Sequence, residues 1–170
     1  MKNTLFSLLA FFMLQHTQAQ TTIKLRNEAG TAYTIAGKLI SNITVPSKEV
    51  LKTYLAYNEK DKTYKITCIE HDAEGVLSSI VVCTLPTAAM NFQTDGYGSR
   101  VEEEENDFFG AGKVSKIVLL CKSQSNCFTE EKIDVQAEEE SKKIKTSYAT
   151  LFFTKKTDAQ DLLKEIVSKK

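Results

Sequence analysis

The sequence predicts a mainly β (or α+β) fold: a single bent antiparallel sheet or barrel of about seven or eight strands with a C-terminal amphipathic helix. Three observations carry this. Apolar and polar residues alternate with period two in stretches such as Tyr64-Lys65-Ile66-Thr67-Cys68-Ile69. The β-branched run Ser79-Ile80-Val81-Val82-Cys83-Thr84-Leu85 suits a central strand. Near the carboxyl end, Leu162, Leu163, Ile166 and Val167 fall on one helical face.

In chain order, the first element is a leader. Lys2 gives a short positive start, and Leu5 to Leu14 is apolar but too short to span a bilayer. Thr17-Gln18-Ala19 supplies small residues for cleavage. Residues 1–19 are expected to be a signal peptide and 20–170 a single β-rich domain, secreted or periplasmic. No Cys stands beside the cleavage point, so no lipid anchor is expected, and no later apolar run predicts a membrane span.

Thr22 to Arg26 and Tyr33 to Ala36 read as strands separated by Ala29-Gly30. Ser47 to Tyr57 follows Pro46. Ser47 as N-cap, with Val50, Leu51, Tyr54 and Leu55 at helical spacing, predicts a helix, although its β-branched and aromatic content also suits a strand. Tyr64 to Ile69 and Ser79 to Leu85 flank the turn Asp72-Ala73-Glu74-Gly75. Pro86 to Phe109, which contains Gly96-Tyr97-Gly98 and the acidic run Glu102 to Glu105, reads as a long irregular loop. Val114 to Cys121 and Phe128 to Val135 form a second hairpin, and Glu138 to Lys145 reads as an exposed hairpin tip. Ser147 to Thr154 is the last strand. Thr157 or Asp158 then caps the helix, and Lys164, Lys169 and Lys170 complement the carboxyl end of its dipole. The expected core is Ile66, Ile80, Val82, Ile117, Leu119, Leu151, Phe153, Leu162 and Ile166.

Charge excludes some partners. Lys+Arg and Asp+Glu both number 22, and losing Lys2 with the leader leaves 21 against 22. A near-neutral chain has no overall electrostatic footprint for nucleic acid or an anionic membrane. The four cysteines, Cys68, Cys83, Cys121 and Cys127, are an even set in a chain predicted to be exported, so two disulfides are expected. Pairing Cys68 with Cys83 and Cys121 with Cys127 places each bond across a turn. A turn centred on Glu74 and Gly75 sets Cys68 opposite Val81, so the first bond requires a bulge. Crossed pairing is the rival.

Catalytic and ligand-binding signals are sparse. His71 is the only histidine after the leader, which excludes a His-based zinc site or a two-histidine acid–base pair. The cysteine spacings match neither C-x-x-C redox pairs nor zinc knuckles. Phe109-Gly110-Ala111-Gly112-Lys113 fails as a phosphate loop, because Val114 stands where Ser or Thr belongs. The contiguous glutamates do not stagger ligands as a calcium loop does, and read as a solvated segment. No metal and no cofactor are expected. Tyr97, Phe108 and Phe109 form a candidate contact loop, with core anchoring as the other reading of the two phenylalanines.

Tyr148-Ala149-Thr150-Leu151-Phe152-Phe153 followed by Asp158 to Lys169 resembles the ending of pleckstrin-homology-like domains, in which a last strand leads into a helix that caps a bent barrel. The chain has no Trp and no basic phosphoinositide loop, so phosphoinositide binding does not carry over. The leader resembles those of small exported proteins of Gram-negative bacteria. Gly37-Lys38-Leu39 departs from the G-x-W of lipocalins. The leading expectation is a non-catalytic exported binding or interaction module that works through strand edges or the Pro86 to Phe109 loop, its partner an unknown protein or small ligand. A lipocalin-like carrier of a small apolar ligand is the alternative. A hydrolase built on Glu70 and Asp72 ranks last.

Overall fold

The computed structural model describes residues 21–26, 30–93, 96–105, 107–110, 113–135 and 141–170, and the expected signal peptide lies outside them. Among the described residues there are ten strands: β1 (Thr21–Arg26), β2 (Ala32–Thr44), β3 (Val50–Asn58), β4 (Thr63–His71), β5 (Leu77–Pro86), β6 (Arg100–Glu105), β7 (Lys113–Leu120), β8 (Phe128–Asp134), β9 (Lys142–Thr146) and β10 (Tyr148–Phe153). One α-helix follows, α1 (Lys156–Ser168). The strands make a seven-stranded sheet in the order β1-β2-β3-β4-β5-β8-β9 and a three-stranded sheet in the order β10-β7-β6. All neighbours are antiparallel. Neither sheet closes into a barrel. The mainly β class and the carboxyl-terminal helix stand, while the single sheet becomes two.

The large sheet is buried on both faces, which explains its continuous apolar strands. On one face Leu55, Tyr64, Ile66, Cys83, Leu85 and Phe128 meet Ile117, Leu119, Leu151 and Phe153 of the small sheet. On the other, Tyr54, Ile69, Leu77 and Ile80 pack with Ile35 of β2 and with Ile23, Leu25 and Tyr33 of the first hairpin. Val82, expected in the main core, points to this second cluster and is half-buried. β2 serves both regions because it changes partner midway: it pairs with β1 up to Gly37 and with β3 from Lys38. At Gly37 a Cβ would stand 2.8 Å from the Leu55 carbonyl oxygen, so the close crossing requires glycine.

Four expectations are corrected. Ser47 to Tyr57 forms no helix: Ser47 lies in a turn and Val50 onward is strand β3, whose neighbours Tyr54 and Leu55 enter opposite core clusters as strand residues do. The long loop contains β6, and the hairpin tip contains β9. The N-cap of α1 is Lys155, which makes no side-chain capping bond, with Asp158 inside the first turn.

Ala159, Leu162 and Ile166 bury one stripe of α1 in the main core. Lys156 of its first turn lies 2.5 Å from Glu103 on β6, and Lys169 lies 3.0 Å from Glu59 and over the Tyr57 ring. The helix therefore spans from the small sheet to the β3–β4 turn. Among the described residues no helix is long and apolar enough to cross a membrane.

Candidate functional site

The disposition of α1 opens a groove of about 790 Å³ beside the start of β6. Phe92 and Val101 line one wall, Leu163 and Val167 the other, and Gln160 and Arg100 are among the polar residues around them. Leu163 and Val167 sit on the flank of the helix stripe, so they border the core without entering it. Val167 keeps 40% of its surface exposed.

The wall before β6 is built by hydrogen bonds. The Asn91 side chain accepts from the Gln93 backbone N–H at 3.0 Å and donates to the Tyr97 carbonyl at 3.1 Å. Ser99 N–H donates to the Asn91 carbonyl at 2.7 Å. Ser99 Oγ accepts from Leu120 N–H at 3.0 Å, which ties the segment to β7. At Gly98 a Cβ would stand 2.1 Å from the Gln93 carbonyl oxygen, so only glycine allows the chain to double back there. Residues 91–93 and 96–99 are thus irregular, as expected, and hydrogen-bonded into a wall.

β6 itself is an edge strand, with β7 as its partner. Three of its glutamates, Glu102, Glu103 and Glu104, meet cations on β6 itself, on β7 and on α1. Lys116 of β7 meets Glu102 at 3.4 Å and also pairs with Glu104, and Arg100 meets Glu102 at 2.5 Å. The hydrogen bond from Lys156 holds the Glu103 carboxyl below its ordinary range, and that from Lys116 to Glu104 raises the lysine. The run expected as a solvated loop is an edge strand paired with β7, and its Glu103 and Glu105 remain exposed.

Tyr97, 79% exposed, lies just before β6. Phe108 and Phe109 lie past its other end, about 17 Å further along the strand direction. Phe109 packs on Phe152 at 4.8 Å, and Phe108 meets Phe109 edge-on at 5.1 Å while remaining half exposed. The two phenylalanines are brought together; Tyr97 is not brought to them. Phe109 anchors its turn on the outer face of the small sheet. None of Phe92, Val101, Leu163 and Val167 stood out in the sequence as a site residue. The one signal was Val167, apolar at the rim of the helical stripe.

Cys121 and Cys127 are bonded, with Cα atoms 5.8 Å apart, and close the β7–β8 connection. Cys68 and Cys83 carry free thiols, so the second expected bond is corrected. Cys68 stands opposite Val81, and Cys83 opposite Ile66. The two are diagonal neighbours, and the bulge after Glu70 does not remove the offset. Cys83 lies 3.9 Å from Glu130, and burial pushes its thiol up to about 12. Such a thiol has almost no thiolate at neutral pH and is a poor nucleophile.

Glu70 accepts a hydrogen bond from Ser79 Oγ at 3.0 Å. Asp72 accepts from the Glu74 and Val76 N–H groups at 3.1 and 2.8 Å, so it caps the turn. His71 Nδ1 is buried without a hydrogen-bond partner, and burial followed by nearby Lys52 lowers its basicity. Among the described residues no group of three or more His, Cys, Asp or Glu side chains converges to hold a metal ion. Compared with protein-family models, curated proteins and solved structures, the chain gives no match.

Proposed function

We propose that this chain is an exported, non-catalytic interaction module that docks an extended segment of a partner protein along β6, beside α1. The observation that carries the reading is an edge strand bordered by an apolar groove with a hydrogen-bonded wall. An edge offers backbone hydrogen bonds to any extended chain, and the groove selects an apolar side chain from it. A lipocalin-type carrier needs room inside a barrel. Tyr64, Phe128, Ile117 and Leu119 instead fill the space between two open sheets, which supports the interaction reading. Glu70 is engaged across the β4–β5 ladder by Ser79 and Asp72 by its own turn, which weighs against the hydrolase.

Selection from a displayed library of random linear peptides tests this. Selected peptides are expected to share an apolar residue and to lose at least tenfold in affinity for Val167→Glu, a variant that leaves the fold intact. Failure to select any peptide, or binding indifferent to both Val167→Glu and Leu163→Glu, would overturn it.

A further inference from the structure

The two sheets leave edges of opposite charge. β6 carries Glu102, Glu103, Glu104 and Glu105, and β9, at an edge of the large sheet, carries Lys142, Lys143 and Lys145. All three lysines are exposed, and so is nearly half of Ile144 between them. Two copies cannot join β6 to β6 or β9 to β9 without opposing like charges across the new ladder. β6 against β9 is the combination that charge favours.

We infer that the partner segment docked on β6 is β9 of a second copy of this chain. The inference rests on β6 being the working edge and adds the occupant of that edge; the apolar groove stays outside this contact, since the register below sets Thr146 opposite Val101. In one antiparallel register Lys145, Lys143 and Lys142 all fall opposite glutamates, namely Glu102, Glu104 and Glu105. Glu104 then lies between Lys116 on its own sheet and Lys143 of the incoming strand, one cation on either side of its carboxylate, while Glu102, already between Arg100 and Lys116, gains Lys145 as a third cation. Ile144 falls opposite Glu103, whose carboxylate is turned to Lys156. Because the two surfaces differ, the contact is head-to-tail and builds a ring or an open chain of subunits. Pairs this exposed attract over about one Debye length, roughly 10 Å at 0.1 M salt and 3 Å at 1 M. The association is therefore weak and dissolves in salt.

Sedimentation velocity of the purified protein over a range of concentrations, at 20 mM and 500 mM NaCl, tests the contact. The expected result is reversible self-association at low salt, weakened at least tenfold at high salt. Lys142→Glu and Glu105→Lys should each weaken it several-fold. The double variant, in which each copy presents the reversed pair to the next, should return to within about twofold of the original. A monomer at every salt and concentration overturns the inference, as does a double variant weaker than both single ones. Circular dichroism checks that all three variants fold. A monomeric protein that still binds a selected peptide in a Val167-dependent way would defeat this inference alone. Loss of peptide binding with self-association intact would defeat the apolar-groove reading alone.

Discussion

The Asn91 side-chain amide donates to the Tyr97 carbonyl at 3.1 Å, and with the Ser99 N–H bond to the Asn91 carbonyl it ties the wall of the groove. The same side chain accepts from Gln93 N–H, so a single residue holds both ends of the turn. Asn91→Ala removes both bonds. It is expected to cost about 1–2 kcal/mol in urea unfolding and to weaken peptide binding several-fold. Asn91→Asp keeps the acceptor and loses the donor, so it should fall between the two.

The groove and the core call on adjacent sides of α1. Leu162, 6% exposed, lies in the core, and Leu162→Ala should destabilise by about 2–5 kcal/mol. Val167→Glu changes a half-open position and should move stability by no more than about 0.5 kcal/mol while abolishing peptide binding. Denaturation midpoints and binding isotherms of the two variants separate the roles.

Much of the fold can be read from the sequence, and the exceptions have physical causes. The β4–β5 hairpin is legible because Asp72 bonds its own turn and the flanking residues alternate. α1 is legible because Leu162 and Ile166 repeat on one face. β3 misleads, since Tyr54 and Leu55 are apolar for two different cores, and together with the partly buried Val50 and Leu51 they imitate helical spacing. β6 shows no alternation: Glu102, Glu103 and Glu104 meet Lys116 across the hairpin with β7 and Lys156 on α1, pairings that its own run of glutamates does not announce. The groove is invisible because Val101 and Val167 become neighbours only when α1 crosses to the small sheet.

The cysteines give a chemical test. A non-reduced digest should yield a Cys121–Cys127 peptide, with Cys68 and Cys83 alkylated only after unfolding. Reducing the bond is expected to cost roughly 2–3 kcal/mol on the loop-entropy model. A Cys68–Cys83 peptide would contradict the register described above.

Cys83 also predicts a pH dependence. Folding raises its thiol from the ordinary 9.0 to about 12, so above pH 9 the unfolded chain binds fewer protons than the folded one. Its contribution is fully present below pH 9 and is lost as pH rises towards 12. The slope approaches about 1.4 kcal/mol per pH unit for one such group. Cys83→Val should flatten the stability profile between pH 9 and 11, measured by urea unfolding at fixed ionic strength.

Hydrogen exchange of the β6 amides, residues 100–105, with and without a selected peptide, tests the docking of an extended chain most directly. The account predicts that alternate amides in β6 slow at least tenfold when the peptide binds, with smaller changes in α1 around Leu163 and Val167. Unchanged exchange in β6, with protection instead around Phe108 and Phe109 on the outer face of the small sheet, would contradict it.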